Sequence, residues 1–510
     1  MVNSQMPTGS RLAASFLQPA LYPLQRRFLI WAVSAGLISG LVFLSPLIGL
    51  SFFVLFVILG ALWRIEEPPI LVFCLSFQWL FVVTGYYYQL FTGDFPGGLP
   101  GDLEGAVLLS LLGLLIIVLG VRLGLKLLEA RLLLRRGKVE PKVHVYHIGR
   151  LFWYVIIAYS ISWVVKVGPT EFAFDVAGFI SHAVAFRGVL LCLLFLAVLR
   201  QRTGYRYAAI AGVFVFLPEA TSMFAAWSGV FFLLFILLMG EWKPWSGSVA
   251  DRRRNTRLAS TLTGVTACLF VMALIWQGGV KSNWRWALAT GAAEAGPTEK
   301  LKILGSITED VLSQLDWSQA WESLAERLSG AYYFSHVLLH VPGIVPYENG
   351  ELTMRALEHT FKPRFLFPDK PDLGSNSWLI REYAGFYPAG DESGTSIGLT
   401  YMAEFYIDFG RVGMFVPLFL WGILIGLAYG ALFLLSPSHE FACAAVAVMF
   451  PQPFASFEGE IAYLLAGLLQ VFIVFGLLLF LFGPVFHRKL LNSGLTSPFA
   501  EKVAWRLREG

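Results

Sequence analysis

The sequence predicts an all-α fold: a polytopic membrane bundle of about twelve transmembrane helices, with one large extracytoplasmic loop carrying short amphipathic helices. Three observations predict it. Only 14% of the 510 residues are charged, against about 25% in an ordinary soluble protein. Mean hydropathy is +0.66. The apolar residues come in blocks of about twenty, the length needed to cross a hydrocarbon core of about 30 Å, and basic clusters separate the blocks. The same composition excludes disorder, a collagen-like fibre and a coiled coil. A formal net charge of +4 is too small to argue for nucleic acid, so the lipid bilayer is the expected partner.

Taken in chain order, Arg11, Arg26 and Arg27 precede 36 uncharged residues, 28–63. That run is far longer than the apolar core of a cleavable signal, so the first helix is expected to stay as an anchor. Ser45-Pro46 turns it back into two spans. Further spans are expected at 70–91, 105–125, 151–167, 178–199, 207–217, 225–240, 258–278, 412–435, 441–455 and 461–482. The chain thus divides into an N-terminal bundle of about nine spans (1–278), a periplasmic loop (279–411), C-terminal helices (412–483) and a basic cytoplasmic tail (484–510). Alternating sides hold 25 Lys and Arg with the N-terminus against 12 opposite, 11 of them in the long loop. Cytoplasmic loops hold the excess, so both termini are placed in the cytoplasm.

Within 279–411, Ser306-Ile307-Thr308-Glu309 has the pattern of a capping box. Ile307, Val311, Leu315, Trp321, Leu324 and Leu328 follow at near-helical spacing, predicting an amphipathic helix over 307–328. A second short helix is expected near 336–340, a turn over 342–350, and irregular backbone over 363–398, where Pro, Gly, Ser and Asp are dense. Cys74, Cys192, Cys268 and Cys443 lie in apolar runs without C-x-x-C spacing, so neither a disulfide framework nor structural zinc is expected.

Two features carry candidate chemistry. Arg187 sits inside the span 178–199, where an Arg costs about 3 kcal/mol to insert; it is either a fixed cation facing an anionic substrate or a structurally paired one. The second is the stretch PRFLFPDKPDLGSNSWLIREYAGFYPAGDESGTSIGLTYMAEFYIDFGRVG at 363–413, which gathers Arg364, Lys370 and Arg381 among Asp369, Asp372, Glu382, Asp391, Glu392, Glu404 and Asp408. Guanidinium groups grip phosphate oxygens bidentately and Lys adds a point charge, so these cations can hold a pyrophosphate without a metal.

PRFLFPDKP, a Gly/Ser/Thr-rich stretch, and EFYIDFGRVG leading straight into a span together resemble the periplasmic loop of Wzy-type O-antigen and exopolysaccharide repeat-unit polymerases. The motif covers about fifty residues, and the family's layout, about a dozen spans with cytoplasmic termini, covers most of the chain. The resemblance implies a bacterial inner-membrane enzyme with undecaprenyl-pyrophosphate-linked oligosaccharide as substrate. It would transfer a growing glycan to the next lipid-linked repeat unit on the periplasmic side, without a cofactor or metal, and it could work beside a chain-length-regulating membrane protein. Family arginines map onto Arg187, Arg364 and Arg381. An R-x10-G pattern found in some members is not matched at Arg364, since Gly374 falls one residue short.

That chemistry needs stabilisation of the leaving pyrophosphate and a base for the sugar hydroxyl. Arg187, Arg364, Lys370 and Arg381 are the candidates for the first role. Glu404 is the leading candidate base, ahead of His359 and Asp391. His336 and His340 share a helix face, but the Glu of H-E-x-x-H is missing. Glu458 and Glu460 are expected to be a hydrated acidic pair, and Asp102-Leu103-Glu104 has the acid-x-acid spacing of metal-dependent glycosyltransferases. Three other classes fit in part: a polyprenyl-phosphate-sugar transferase, for which the first outer loop is too short; an O-antigen ligase, which differs only in acceptor; and a twelve-span transporter or flippase, in which Arg187 would line the pathway.

Overall fold

A computed structural model describes residues 26–64, 67–96, 98–138, 145–167, 177–220, 228–242, 249–362, 367, 377–386, 398–470, 473 and 475–491. About 83% of the structure is helical, and no strand is present among the described residues. Four described helical runs are long and apolar enough to cross a membrane: Ile70–Thr92, Leu103–Leu128, Arg253–Ala292 and Phe415–Leu435. Five more apolar helices, Leu29–Val42, Pro46–Leu62, Ile148–Trp163, Gly229–Gly240 and His439–Met449, are shorter than 18 residues. Breaks account for part of the shortening. Ser45 caps the helix Pro46–Leu62, with Pro46 at its first position, and Pro451 separates His439–Met449 from Pro451–Ala455. Over the expected span 461–482 the described residues include the helices Ile461–Gln470 and Gly476–Leu490.

Among the described residues the most extensive helix contact joins Leu103–Lys138 to Phe415–Leu435. Glycines make it. A Cβ built on Gly120 would stand 2.3 Å from the Phe419 carbonyl oxygen, and one on Gly422 would stand 2.4 Å from that of Ile117. Gly124 and Gly426 repeat the arrangement one turn on, so the backbones themselves touch. Small residues four apart on both helices are how helices associate where lipid removes the hydrophobic drive. The first two helices use the same device at Gly36, Gly40 and Gly49. This packing crosses the boundaries expected from sequence: a helix of the N-terminal bundle clasps one of the C-terminal helices, and Ala331–His340 of the long loop packs on Leu103–Lys138 as well.

The segment 279–411 is more helical than expected. The helix Val249–Ile275 runs on into π-helical turns bent at Gly279 and Gly291, both at positive φ. The single amphipathic helix expected over 307–328 is two, Pro297–Ser313 and Trp317–Arg327. Ser306 does not cap: its hydroxyl donates to the Ile303 carbonyl from within the first helix, whose start is set by Pro297. Asp316 caps the second helix, accepting from the N–H groups of Ser318 and Gln319. The short helix near 336–340 is Ala331–His340, and the 342–350 stretch is non-helical as expected. Two helices were not expected, Glu351–Phe361 and Ser377–Ala384, the latter inside the stretch read as irregular. In both, a short apolar face is buried, Leu352 and Ala356 in one and Leu379, Ile380 and Tyr383 in the other. Burial of those faces outweighs the Gly- and Pro-rich surroundings.

Candidate active site

The EFYIDFGRVG motif forms the helix Tyr401–Gly413, buried along most of its length and capped by Thr400. Gly410, at φ 71°, ends its regular part and redirects the chain into Phe415–Leu435. Glu404 and Asp408 are four residues apart, so they share one face, and each holds the start of another helix. The Glu404 Oε1 accepts from the Ile461 N–H at 3.0 Å, at the first residue of Ile461–Gln470. Asp408 accepts from the N–H groups of Leu352 and Thr353 at 3.1 and 2.8 Å, and from the Thr353 hydroxyl at 2.5 Å, at the start of Glu351–Phe361. The two helices so anchored pack against each other. A further bond, from the Tyr401 N–H to the Gly459 carbonyl at 3.0 Å, ties the 456–460 turn to the same helix.

The two carboxylates differ in what they compensate. Asp408 receives three donors. Glu404 accepts from the Ile461 N–H while only 4% exposed, and Glu460 stands close enough to repel it. Burial, and next the neighbouring Glu460, push the Glu404 carboxyl well above the ordinary range. Burial pushes Glu460 up to about 7, and its Oε1 is buried without a hydrogen-bond partner. The expectation of a hydrated Glu458/Glu460 pair is therefore corrected in half. Glu458 does reach the surface and meets Arg327 at 2.6 Å, but Glu460 is buried, as are Phe457 and Ile461.

The other predicted site residues are spread over three places. His359 is half-buried in the last turn of Glu351–Phe361, about 9 Å along the helix from the end that Asp408 holds. Arg381 is half-buried on Ser377–Ala384. Arg364, Lys370, Asp369, Asp372, Asp391 and Glu392 lie outside the described residues. Arg187 belongs to a separate cluster: its Nη2 lies 3.4 Å from the Glu219 Oε1, and its guanidinium stands 4.6 Å from the centre of the Tyr159 ring. The cation is thus paired with a carboxylate on another helix.

His336 and His340 do not converge with further ligands; among the described residues no group of three or more His, Cys, Asp or Glu is placed to hold a metal ion. The His336 ring packs edge-on against Phe386 and Tyr332, and burial lowers its pKa. Asp102 accepts from the Gly105 N–H and lies 3.9 Å from Arg411. The four cysteines are free thiols. Sequence reasoning missed the coupling of Glu404 to Glu460, although the apolar neighbours Phe457 and Ile461 signal burial. It also missed the i, i+4 relation of Glu404 and Asp408, which the sequence carries openly.

Residues 256–432 match the model of a family described as a domain of unknown function, DUF8712. The matched stretch runs from within Val249–Ile275 to within Phe415–Leu435 and contains Glu404 and Asp408. Neither the curated proteins nor the solved structures contain a match to the chain.

Proposed function

We propose that this chain is a glycan polymerase of a bacterial inner membrane. It transfers a growing polysaccharide from undecaprenyl pyrophosphate to a lipid-linked oligosaccharide repeat unit on the periplasmic side. The observation that carries the proposal is Glu404. The motif that resembles the polymerase loop forms a buried helix, and that helix holds a carboxyl whose proton affinity is raised by burial and by a second carboxyl. A carboxyl with raised proton affinity is, once ionised, a stronger base for the proton of a sugar hydroxyl. The excess of Lys and Arg on the opposite side supports a twelve-span arrangement with cytoplasmic termini, which puts Glu404 on the periplasmic side next to the mouth of Phe415–Leu435.

In this reading Glu404 is the base and His359 lies one helix away. Arg381, with Arg364 and Lys370 of the same segment, takes the pyrophosphate. Arg187 joins them only by exchanging Glu219 for the lipid anion. The acceptor distinguishes this enzyme from an O-antigen ligase. The test is the length distribution of surface glycan in a strain lacking the protein, complemented with wild type, Glu404→Gln or Arg187→Ala at matched membrane levels. The proposal expects single exported repeats in the deletion strain and with Glu404→Gln. Normal chain length in the deletion strain would remove the proposal, and lipid-linked repeats stranded on the cytoplasmic face would replace it with a flippase.

A further inference from the structure

Residues 146–149 and 201–207, from two of the Lys- and Arg-rich stretches of the sequence, form a cavity of about 400 Å³. Tyr146, His147, Gln201, Thr203, Arg206 and Tyr207 line it, and among the described residues no carboxylate does. It lies where Ala177–Gln201 ends and where Ile148–Val167 and Tyr205–Ala220 both begin, so three helices of the bundle meet around it.

The donors facing the cavity are identifiable. The His147 Nδ1 accepts from the Arg150 N–H at 3.3 Å; a neutral imidazole that accepts at Nδ1 carries its proton on Nε2 and donates there. Arg206 spends one N–H on the Tyr207 hydroxyl at 3.3 Å and lies across the Tyr207 ring. That leaves the rest of an exposed guanidinium fork, which suits the oxygens of a phosphate. Exposed Arg150 and Arg202 are chain neighbours of the lining residues Gly149, Gln201 and Thr203, and Arg150 donates to the Lys489 carbonyl at 3.3 Å.

An apolar surface leads away from this basic mouth. Trp153, Ile157 and Ile161 are exposed at four-residue spacing along Ile148–Val167, and Ile210, Val213 and Leu217 are exposed along Tyr205–Ala220, which packs beside it. Each stripe begins about one turn from the cavity and continues for about 10 Å. A phosphate-binding mouth continuous with two lipid-facing apolar stripes has the charge and shape of one phospholipid: an anion at the membrane surface and acyl chains below it.

We propose that this cavity binds the phosphate headgroup of an anionic phospholipid, with the acyl chains laid along the exposed faces of Ile148–Val167 and Tyr205–Ala220. The site is separate from Glu404, and the proposal stands whether or not the chain polymerises glycan. The test uses the full chain purified in neutral detergent and titrated, by native mass spectrometry and thermal shift, with phosphatidylglycerol, phosphatidylcholine and inorganic phosphate. Phosphatidylglycerol is expected to bind and to raise the melting temperature more than phosphatidylcholine does. Arg206→Ala is expected to weaken it by about fivefold, the loss for one basic residue facing an anionic headgroup, and Arg206→Lys to restore most of the binding. Because Arg206 is exposed, both variants should elute as wild type; Arg202→Ala provides a second, smaller loss. Equal affinity for the two lipids, wild-type affinity in Arg206→Ala, or an equal effect of inorganic phosphate would each overturn the proposal.

Discussion

Two regions of this molecule are held together by opposite means. Along Leu103–Lys138 and Phe415–Leu435 glycines let two backbones meet. Around Tyr401–Gly413 the reverse holds: carboxylates are buried and hold the starts of two other helices through backbone N–H groups. The first solution is fixed by volume and tolerates no added atom. The second is fixed by hydrogen bonds and tolerates changes of size better than changes of charge. A site built by the second means has a titratable group available inside the fold, which a glycine contact can never supply.

Added volume should therefore have the largest effect, and only at the first region. Gly422→Ala places a Cβ 2.4 Å from the Ile117 carbonyl oxygen and is expected to cost about 3 kcal/mol, with loss of a monodisperse peak in size-exclusion chromatography. Gly264→Ala, in a helix with no atom within 4 Å of the new Cβ, is the control and should stabilise by up to about 1 kcal/mol.

Removal of the carboxylate that holds Glu351–Phe361 comes next. Asp408→Ala leaves the Leu352 and Thr353 N–H groups without their acceptor and should cost about 2 kcal/mol in thermal or denaturant unfolding. Asp408→Asn, which keeps one acceptor oxygen, should cost about half as much.

A pH effect separates the regions further. In the folded state burial raises Glu460 to about 7 from an ordinary 4.5, so its neutral form is favoured there. The stability linked to this group is complete below the unfolded value and is lost as pH rises through the folded one. Unfolding followed from pH 4 to 8 should show wild type losing stability between about 4.5 and 7, with a shallower loss in Glu460→Gln, where the still-buried Glu404 goes on titrating, and a gain over wild type above the window of up to about 3 kcal/mol. An unchanged pH profile in Glu460→Gln would show that the group is solvated. The smallest effect belongs to the exposed pair Arg355 and Glu351, 4.0 Å apart; Glu351→Gln should change stability by less than about 0.5 kcal/mol.

The glycine contact was legible in the sequence, since Gly120 and Gly124 face Gly422 and Gly426 at four-residue spacing, but hydropathy alone treats glycine as neutral and passes over it. The all-helical class and the apolar helices followed from composition, which directly reflects the cost of burying charge in lipid. Helix boundaries in the polar segment did not, because Ser306 reads as a cap only if no helix is already under way, and Pro297 had started one. For the site, residue types were legible and partners were not. Glu404 stood out by its place beside a span, whereas its contact with Ile461 and its repulsion by Glu460 depend on a turn more than fifty residues away. Arg187 was conspicuous because its own span is apolar, and its partner Glu219 lies on another helix.

The central claim is that Glu404 is a working base as well as a helix anchor. Glu404→Gln separates the roles, because the amide oxygen can still accept from Ile461 but the side chain cannot take up a proton. The decisive measurement is the rate of glycan extension in proteoliposomes supplied with lipid-linked repeat units, followed against pH. Wild type should speed up as the carboxyl ionises. Glu460→Gln should shift that rise to lower pH by removing a like charge. Glu404→Gln should lose about 100-fold or more in rate while keeping the wild-type melting temperature. Extension by Glu404→Gln at the wild-type rate would contradict the account and leave Glu404 as a structural anchor alone.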